Sequence, residues 1–133
     1  YITLKDALIK EDTKTATVAS SMMLKKLTLI DMKLLKVEAH TTWMRLSEQL
    51  KKHTIALNST TDIKTQRNHF KPLSFSLIMI IEKFGVNQKV YSQFCPMAAS
   101  NTGGYWLSLE DNVLNPYFGK AMLTCGKVTK IIK

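Results

Sequence analysis

Two cysteines and two methionines near the C-terminal end carry the residue types best able to do chemistry. Cys95 is followed by Pro96 and Met97, and Met122 lies three residues before Cys125. In an extended segment residues two apart point to the same side, and on a helical turn residues three apart share a face. Four sulfur atoms would then converge if the two segments meet. Soft thiolate and thioether ligands favour Cu(I), so a copper(I) site is one interpretation of this spacing.

The same cysteines allow two simpler interpretations. A disulfide between Cys95 and Cys125 would close a loop rich in Gly, Asn and Pro, worth about 3–4 kcal/mol in the chain-entropy model. The alternative is a pair of buried free thiols, because free cysteine behaves as a small hydrophobe. No CxxC or HxxxH pattern favours a metal, and spacing alone leaves all three interpretations open.

The elements that must position these sulfur atoms are predicted from hydrophobic periodicity. Residues 2 to about 10 form a short amphipathic helix, and three longer helices follow. Their apolar seams, spaced mostly by three and four, are Ala16, Ala19, Met23, Leu27, Ile30 and Leu34; then Ala39, Trp43, Leu46, Leu50, His53 and Leu57; then Ile63, Phe70, Leu77, Ile80 or Ile81, and Phe84. Such seams are typical of bundle packing, so residues 1–85 are predicted to form an up-and-down bundle of about four helices.

Capping and turn residues set the helix boundaries. Asp12 is a candidate N-cap for the second helix, which is expected to break near Asp31. The segment Asn58–Asp62 indicates a helix stop, a turn and a new N-cap. The fourth helix is predicted to continue through a kink at Pro72 and to end at Gly85.

After Gly85 the pattern becomes that of strands and turns. Lys89–Cys95 alternates and is rich in β-branched and aromatic residues, and Val128–Ile132 is a second strand candidate. Pairing of the two would give a short two-stranded β ribbon and bring the two cysteines together. Turn signals lie between them at residues 101–104 and 115–119, and Leu109–Val113 is predicted to form one helical turn. The fold class is therefore mainly α, with a loop-rich C-terminal subregion.

Composition limits the domain count and the partners. A chain of 133 residues is most simply one domain, comprising the bundle over residues 1–85 and a Cys/Met subregion over residues 86–133 packed on it. The net charge is +9, yet Arg45 and Arg67 are the only arginines, whereas base readout and phosphate clamps depend on arginine. We therefore expect no nucleic-acid partner. No apolar run approaches the length of a membrane span.

The C-terminal motif resembles a bacterial family of unknown function. The residues are V-Y-x-Q-F-C-P-M-A, G-x-W-L-S and N-P-Y-F-G-x-x-M-L-x-C-G. Y-I-T-L-K-D-A-L at residues 1–8 is similar to the family's opening helix, and Gln66–Phe70 with Leu73 and Ser74 is similar to its Q-R-x-x-F-x-x-L-S segment. Members occur alone as secreted proteins or lipoproteins, and fused to periplasmic adaptor (membrane-fusion) subunits of copper and heavy-metal efflux pumps.

This resemblance implies a metal-binding module in the periplasm or cell envelope, for Cu(I) or heavy metals linked to efflux. The implied ligands are Cys95, Met97, Met122 and Cys125. An efflux adaptor or another envelope protein is the implied partner. The chain begins at Tyr1 rather than at methionine, so a missing N-terminal segment is expected, either removed or left out of this sequence, with a signal peptide or a lipid anchor as alternatives. The competing hypothesis is a structural or protein-interaction domain with a Cys95–Cys125 disulfide and no metal.

The three histidines and the enzyme hypothesis complete the candidates. His69 falls in the family-like segment and is the first choice as an auxiliary metal ligand. His53 occupies a seam position and is expected at the edge of the core, while His40 is expected on the surface. A cysteine nucleophile needs a base beside it, and no Cys-His or Ser-His-Asp arrangement can be recognised. The domain is therefore predicted not to be an enzyme.

Overall fold

Four helices form the larger part of the computed structural model, which describes residues 1–30, 33 and 35–133. They are α1 (Ile2–Ile9), α2 (Thr13–Thr28), α3 (Val37–Asn58) and α4 (Ile63–Phe84). Each helix packs against the next one along the chain. The predicted mainly α fold with an up-and-down bundle of four helices is confirmed.

The predicted caps set the helix boundaries. The Asp12 carboxylate accepts a hydrogen bond from the backbone N–H of Thr15 at 3.0 Å, and Asp62 does the same for Thr65 at 2.9 Å. Each bond satisfies a backbone donor that the first helical turn leaves free. Gly85 ends α4 with a φ of +84°.

Helix α4 continues past Pro72, which confirms the predicted continuity of this helix. Helix α2 is shorter than its predicted seam. Because α2 ends at Thr28, Ile30 lies beyond the helix with an exposed side chain. The predicted break near Asp31 and the last seam position, Leu34, lie outside the described residues.

A three-stranded antiparallel sheet follows the bundle, one strand more than predicted. The central strand β1 (Val90–Cys95) pairs with β2 (Gly104–Ser108) on one side and β3 (Lys127–Ile132) on the other. The sequence expectation of a two-stranded ribbon is corrected here, because Gly104 begins a strand rather than completing a turn. The ring of Tyr117 lies so close to Gly104 that an added Cβ would be 2.7 Å from it.

The predicted helical turn over Leu109–Val113 is wrong, and a buried side chain supplies the reason. The segment is a bend. The Gln93 amide on β1 donates to the carbonyl oxygens of Glu110, Asp111 and Asn112 at 3.1 to 3.3 Å. Those carbonyls point inward to one donor and cannot continue a helical ladder.

The core joins the helices to the sheet. Buried side chains of all four helices, such as Leu8, Leu50 and Phe70, belong to one cluster with Cys95 and Trp106. A smaller cluster lies between α4 and the sheet and comprises Ile78, Val90, Leu107 and Ile132. Within the described part of the chain, every helix is too short or too polar to span a membrane, which agrees with the sequence expectation.

Candidate sulfur site and the loops that hold it

Cys95 and Cys125 form a disulfide, with their Cα atoms 5.8 Å apart. Cys95 is the last residue of β1 and is fully buried, whereas Cys125 is partly exposed two residues before β3. Pairing of Phe94 with Lys127 across the two strands brings the cysteines together. The expectation that β1 and β3 pair and make the cysteines neighbours is confirmed.

The two methionines do not have the local geometry expected from the sequence. β1 ends at Cys95, and Met97 has helical backbone angles (φ −84°, ψ −12°) rather than extended ones. Its side chain is 46% exposed, while Cys95 points into the core. Pro96 accounts for the strand end, because it has no N–H to donate to a ladder.

Residues 122–125 likewise form an isolated turn rather than helix. The Cys125 N–H donates to the Met122 carbonyl at 3.2 Å, but Met122 itself has φ −148° and ψ 60°. In this disulfide-bonded form residues 95–97 are therefore not extended and residues 122–125 are not helical, so neither arrangement assumed for the sulfur atoms is present. The copper(I) site of Cys95, Met97, Met122 and Cys125 stays a prediction.

The surroundings of the disulfide and the rest of the described chain can be compared with the ligand clusters typical of metal sites. Among the residues that the structure describes, no three His, Cys, Asp or Glu side chains lie close enough to hold a metal ion. His69, the predicted auxiliary ligand, faces His53 instead, with their Nδ1 atoms 3.2 Å apart. Sequence reasoning treated the two histidines singly, although the seam position of His53 on α3 was a signal that it faces α4.

Asn115 fixes the loop that carries Cys125. The buried Asn115 side chain donates to the Cys125 carbonyl at 2.8 Å, and its Oδ1 accepts from the Tyr117 N–H at 2.8 Å. The Asn115 N–H donates to the Leu123 carbonyl at 2.7 Å. The asparagine of the N-P-Y-F-G motif therefore binds the loop at Leu123 and at Cys125.

Tyr117 connects the same loop to β2. Its hydroxyl donates to the Tyr105 carbonyl at 2.6 Å, and its ring packs against Phe70 and Trp106. Burial raises the pKa of the Tyr117 phenol well above its ordinary value, so it remains a protonated donor. Tyr117 thus has a structural role, because its hydroxyl and its ring connect the loop to β2 and to the core.

Arg67 ties α4 to two other parts of the chain. Its Nε donates to the Pro116 carbonyl at 2.9 Å, and its Nη2 donates to the Leu8 carbonyl at the end of α1 at 3.0 Å. Burial lowers the pKa of the guanidinium, and the Glu11 carboxylate, 3.6 Å away, opposes that change. The arginine of the Q-R segment is therefore a clamp.

Tyr1 has a structural role that no pattern in the sequence indicated. Its hydroxyl lies 2.7 Å from the Ser74 hydroxyl on α4 and accepts from the Leu107 N–H on β2 at 3.2 Å. The Tyr1 ring stacks on Phe70 with centroids 5.4 Å apart. Burial raises the pKa of this phenol, which keeps it protonated between helix and sheet.

One family model matches the chain, over residues 1–89 of the 133, and its description is a protein of unknown function, DUF3347. The match covers the helical bundle and ends before β1. The family-like segments at residues 1–8 and 66–74 lie inside it, whereas the Cys-Pro-Met and N-P-Y-F-G motifs lie outside. Comparisons with curated proteins and with solved structures give no match.

Proposed function

This chain belongs to the DUF3347 family, whose function is unknown, and we propose that it is a non-catalytic, disulfide-closed domain that binds another protein outside the cytosol. The observation that carries the proposal is the Cys95–Cys125 disulfide, built into the core beside Trp106. Disulfides form and persist in oxidising compartments, which favours an extracytoplasmic location.

The polar residues of the motif support a structural role. Each of four side chains donates to a backbone carbonyl in a loop, at a helix end or in strand β2: Gln93, Asn115, Tyr117 and Arg67. A catalytic cysteine would need a thiolate and a nearby base, but both cysteines are oxidised in this form. The four donating side chains thus stabilise the fold, which favours a structural role over acid–base chemistry for them.

An exposed apolar face favours a protein partner. Phe75 and Met79 on α4 and Tyr105 on β2 are 55%, 37% and 40% exposed and line adjoining surface recesses. Lys71 lines one recess, and Lys130 in the other is paired with Glu82 at 2.8 Å. The positive charge of this face therefore comes from Lys71 and from the net charge of +9. The complementary partner is a protein surface with an apolar anchor and net negative charge.

A thiol count tests the disulfide-closed state directly. Protein purified without reductant and then denatured should show no free thiol, and adding reductant should release two. The Cu(I) affinity of the oxidised protein should also be no higher than that of a Cys95→Ala/Cys125→Ala variant. Two free thiols in the untreated protein would contradict the proposal.

A second candidate function is Cu(I) handling by the reduced protein, as the C-terminal motif suggests. It is favoured by the 5.8 Å Cα separation of the cysteines and by a surface recess lined by Phe94, Pro96 and Cys125, through which an ion would reach the reduced thiolates. Met97 and Met122 would add thioether donors, with His69 as a proposed auxiliary ligand and an efflux adaptor as partner. Oxidation would then switch the site off.

The test of this second function is a Cu(I) titration of anaerobically reduced protein against a competing chelator. Stoichiometric binding should be lost in both Cys95→Ser and Cys125→Ser. A Met44→Leu variant serves as a matched control, since Met44 lies on the exposed face of α3. If the reduced wild type binds no tighter than the two serine variants, this function fails.

A further inference from the structure

His53 and His69 face each other across the contact between α3 and α4. Their Nδ1 atoms are 3.2 Å apart, their ring centroids are 5.5 Å apart, and the ring planes are tilted by 36°. His53 lies between buried Leu50 and Leu57 on the α3 seam, so helix packing directs it toward α4. Both histidines are half-buried, so dissolved ions reach them.

The separation of the two nitrogens suits a shared metal ion. In the hydrogen-bonded pair one Nδ1 carries the proton and the other presents its lone pair. A shift of that proton to Nε2 of the same ring frees the second Nδ1 lone pair without changing the charge. A metal ion could then lie at the usual metal–imidazole distance of about 2.0–2.1 Å from both nitrogens. The nitrogen–metal–nitrogen angle would be about 100°, close to the tetrahedral value.

The surroundings of His53 favour its neutral form, which is the form that binds metal ions. Partial burial lowers the pKa of His53, and the charges of His69 and Lys52 lower it further. His53 is thus neutral at neutral pH, the state in which imidazole binds metals. The ammonium of Lys52 also repels a cation, so we expect weaker affinity than at a closed four-ligand site.

We propose that His53 and His69 form a binding site for a divalent transition-metal ion, which would cross-link α3 to α4. Imidazole suits copper, nickel and zinc, and the general order of affinities places Cu²⁺ first. Water would fill the remaining coordination positions. The site uses no sulfur atom, so it is independent of the disulfide and of the proposed binding of another protein. It shares only His69 with the second candidate function.

The experiment is a calorimetric titration of the oxidised protein with Cu²⁺, in which no free thiol competes. Wild type should bind one ion, and either His53→Gln or His69→Gln should weaken binding at least about tenfold, since each removes one of two ligands. His40→Gln is the matched control, because His40 is an exposed histidine on the same helix. At a free-ion concentration about 100 times the Kd, wild type should melt about 5 °C or more higher.

A second measurement needs no variant. During a Zn²⁺ titration the proton NMR signals of the His53 and His69 rings should shift together, while those of His40 stay in place. For the calorimetric test, a cooperative thermal unfolding transition without metal shows that each variant is folded. Equal affinities in wild type and both variants, loss of binding in His40→Gln, or unmoved His53 and His69 signals would each overturn the proposal and leave a metal-free hydrogen bond.

Discussion

Arg67 on α4 donates from Nε to the carbonyl oxygen of Pro116 at 2.9 Å, across 49 residues of sequence. This bond joins the part of the chain that the family model matches to the part that it does not. The same guanidinium holds the Leu8 carbonyl at the end of α1. One cation therefore fixes the first helix, the fourth helix and the loop that leads to Cys125.

Replacing Arg67 with methionine should destabilise the protein by about 2–4 kcal/mol, because it removes two charge-assisted hydrogen bonds to carbonyls of buried residues. Urea unfolding measures the change. Arg45→Met is the matched control, since Arg45 is exposed on α3, and it should stay within about 0.5 kcal/mol of wild type. Similar costs for the two variants would contradict the clamp.

Removing the disulfide with Cys95→Ala/Cys125→Ala should cost about 3–4 kcal/mol, because the unfolded chain regains the freedom of a loop with a sequence separation of 30. Urea unfolding of oxidised wild type, reduced wild type and the variant gives the comparison. Reductant should lower the stability of wild type and leave that of the variant unchanged. If the variant were as stable as oxidised wild type, the disulfide would not stabilise the fold.

Gly126→Ala should destabilise the protein by roughly 2–4 kcal/mol, combining a clash with backbone strain. Gly126 has a φ of +137°, and an added Cβ would be 2.9 Å from both the Phe94 carbonyl oxygen and the Trp106 ring. Gly85→Ala is the control, with a φ of +84° and open space around the new Cβ. It should cost only about 1 kcal/mol in thermal or urea unfolding. Equal costs would show that the contact at Gly126 is unimportant.

The two N-cap aspartates should make stability depend on acidity. Hydrogen bonds from the Thr15 side chain and backbone lower the pKa of Asp12, and those from Thr65 do the same for Asp62. A carboxyl whose pKa is lower in the folded state stabilises the fold fully above its unfolded pKa of about 4, and that contribution disappears as the pH falls through the folded pKa.

Asp12→Asn and Asp62→Asn should therefore be less stable than wild type at pH 7 and close to it near pH 2, as measured by thermal unfolding at both pH values. Asp111→Asn serves as control, because Asp111 lies on an exposed bend, and its difference from wild type should stay small at both. A stability difference between the cap variants and wild type that does not change with pH would contradict this linkage.

The exposed face proposed for binding should be separable from the core. Phe75→Ser should change the unfolding free energy by less than about 0.5 kcal/mol, because its ring is 55% exposed, whereas Phe70→Ala should cost about 3–5 kcal/mol. Urea unfolding of both variants makes the comparison. A large cost for Phe75→Ser would place that ring in the core and remove it from the proposed interface.

The sequence by itself determined the elements whose signals are local. Apolar spacings of three and four predict the helices, and Asp12, Asp62 and Gly85 mark their ends, because caps and periodicity act within a few residues. Alternation and β-branched residues likewise located β1 and β3. Their antiparallel pairing then made Cys95 and Cys125 neighbours.

Contacts between distant residues were decided only by the tertiary structure. Gly104 resembles the end of a turn in the sequence but begins β2, where the lack of a side chain leaves room for the Tyr117 ring. The bend at residues 109–112 forms because the Gln93 amide donates to three of its carbonyl oxygens. His53 becomes a neighbour of His69 only when α3 packs on α4. Local propensity is weak, and side-chain hydrogen bonds and packing across many residues override it.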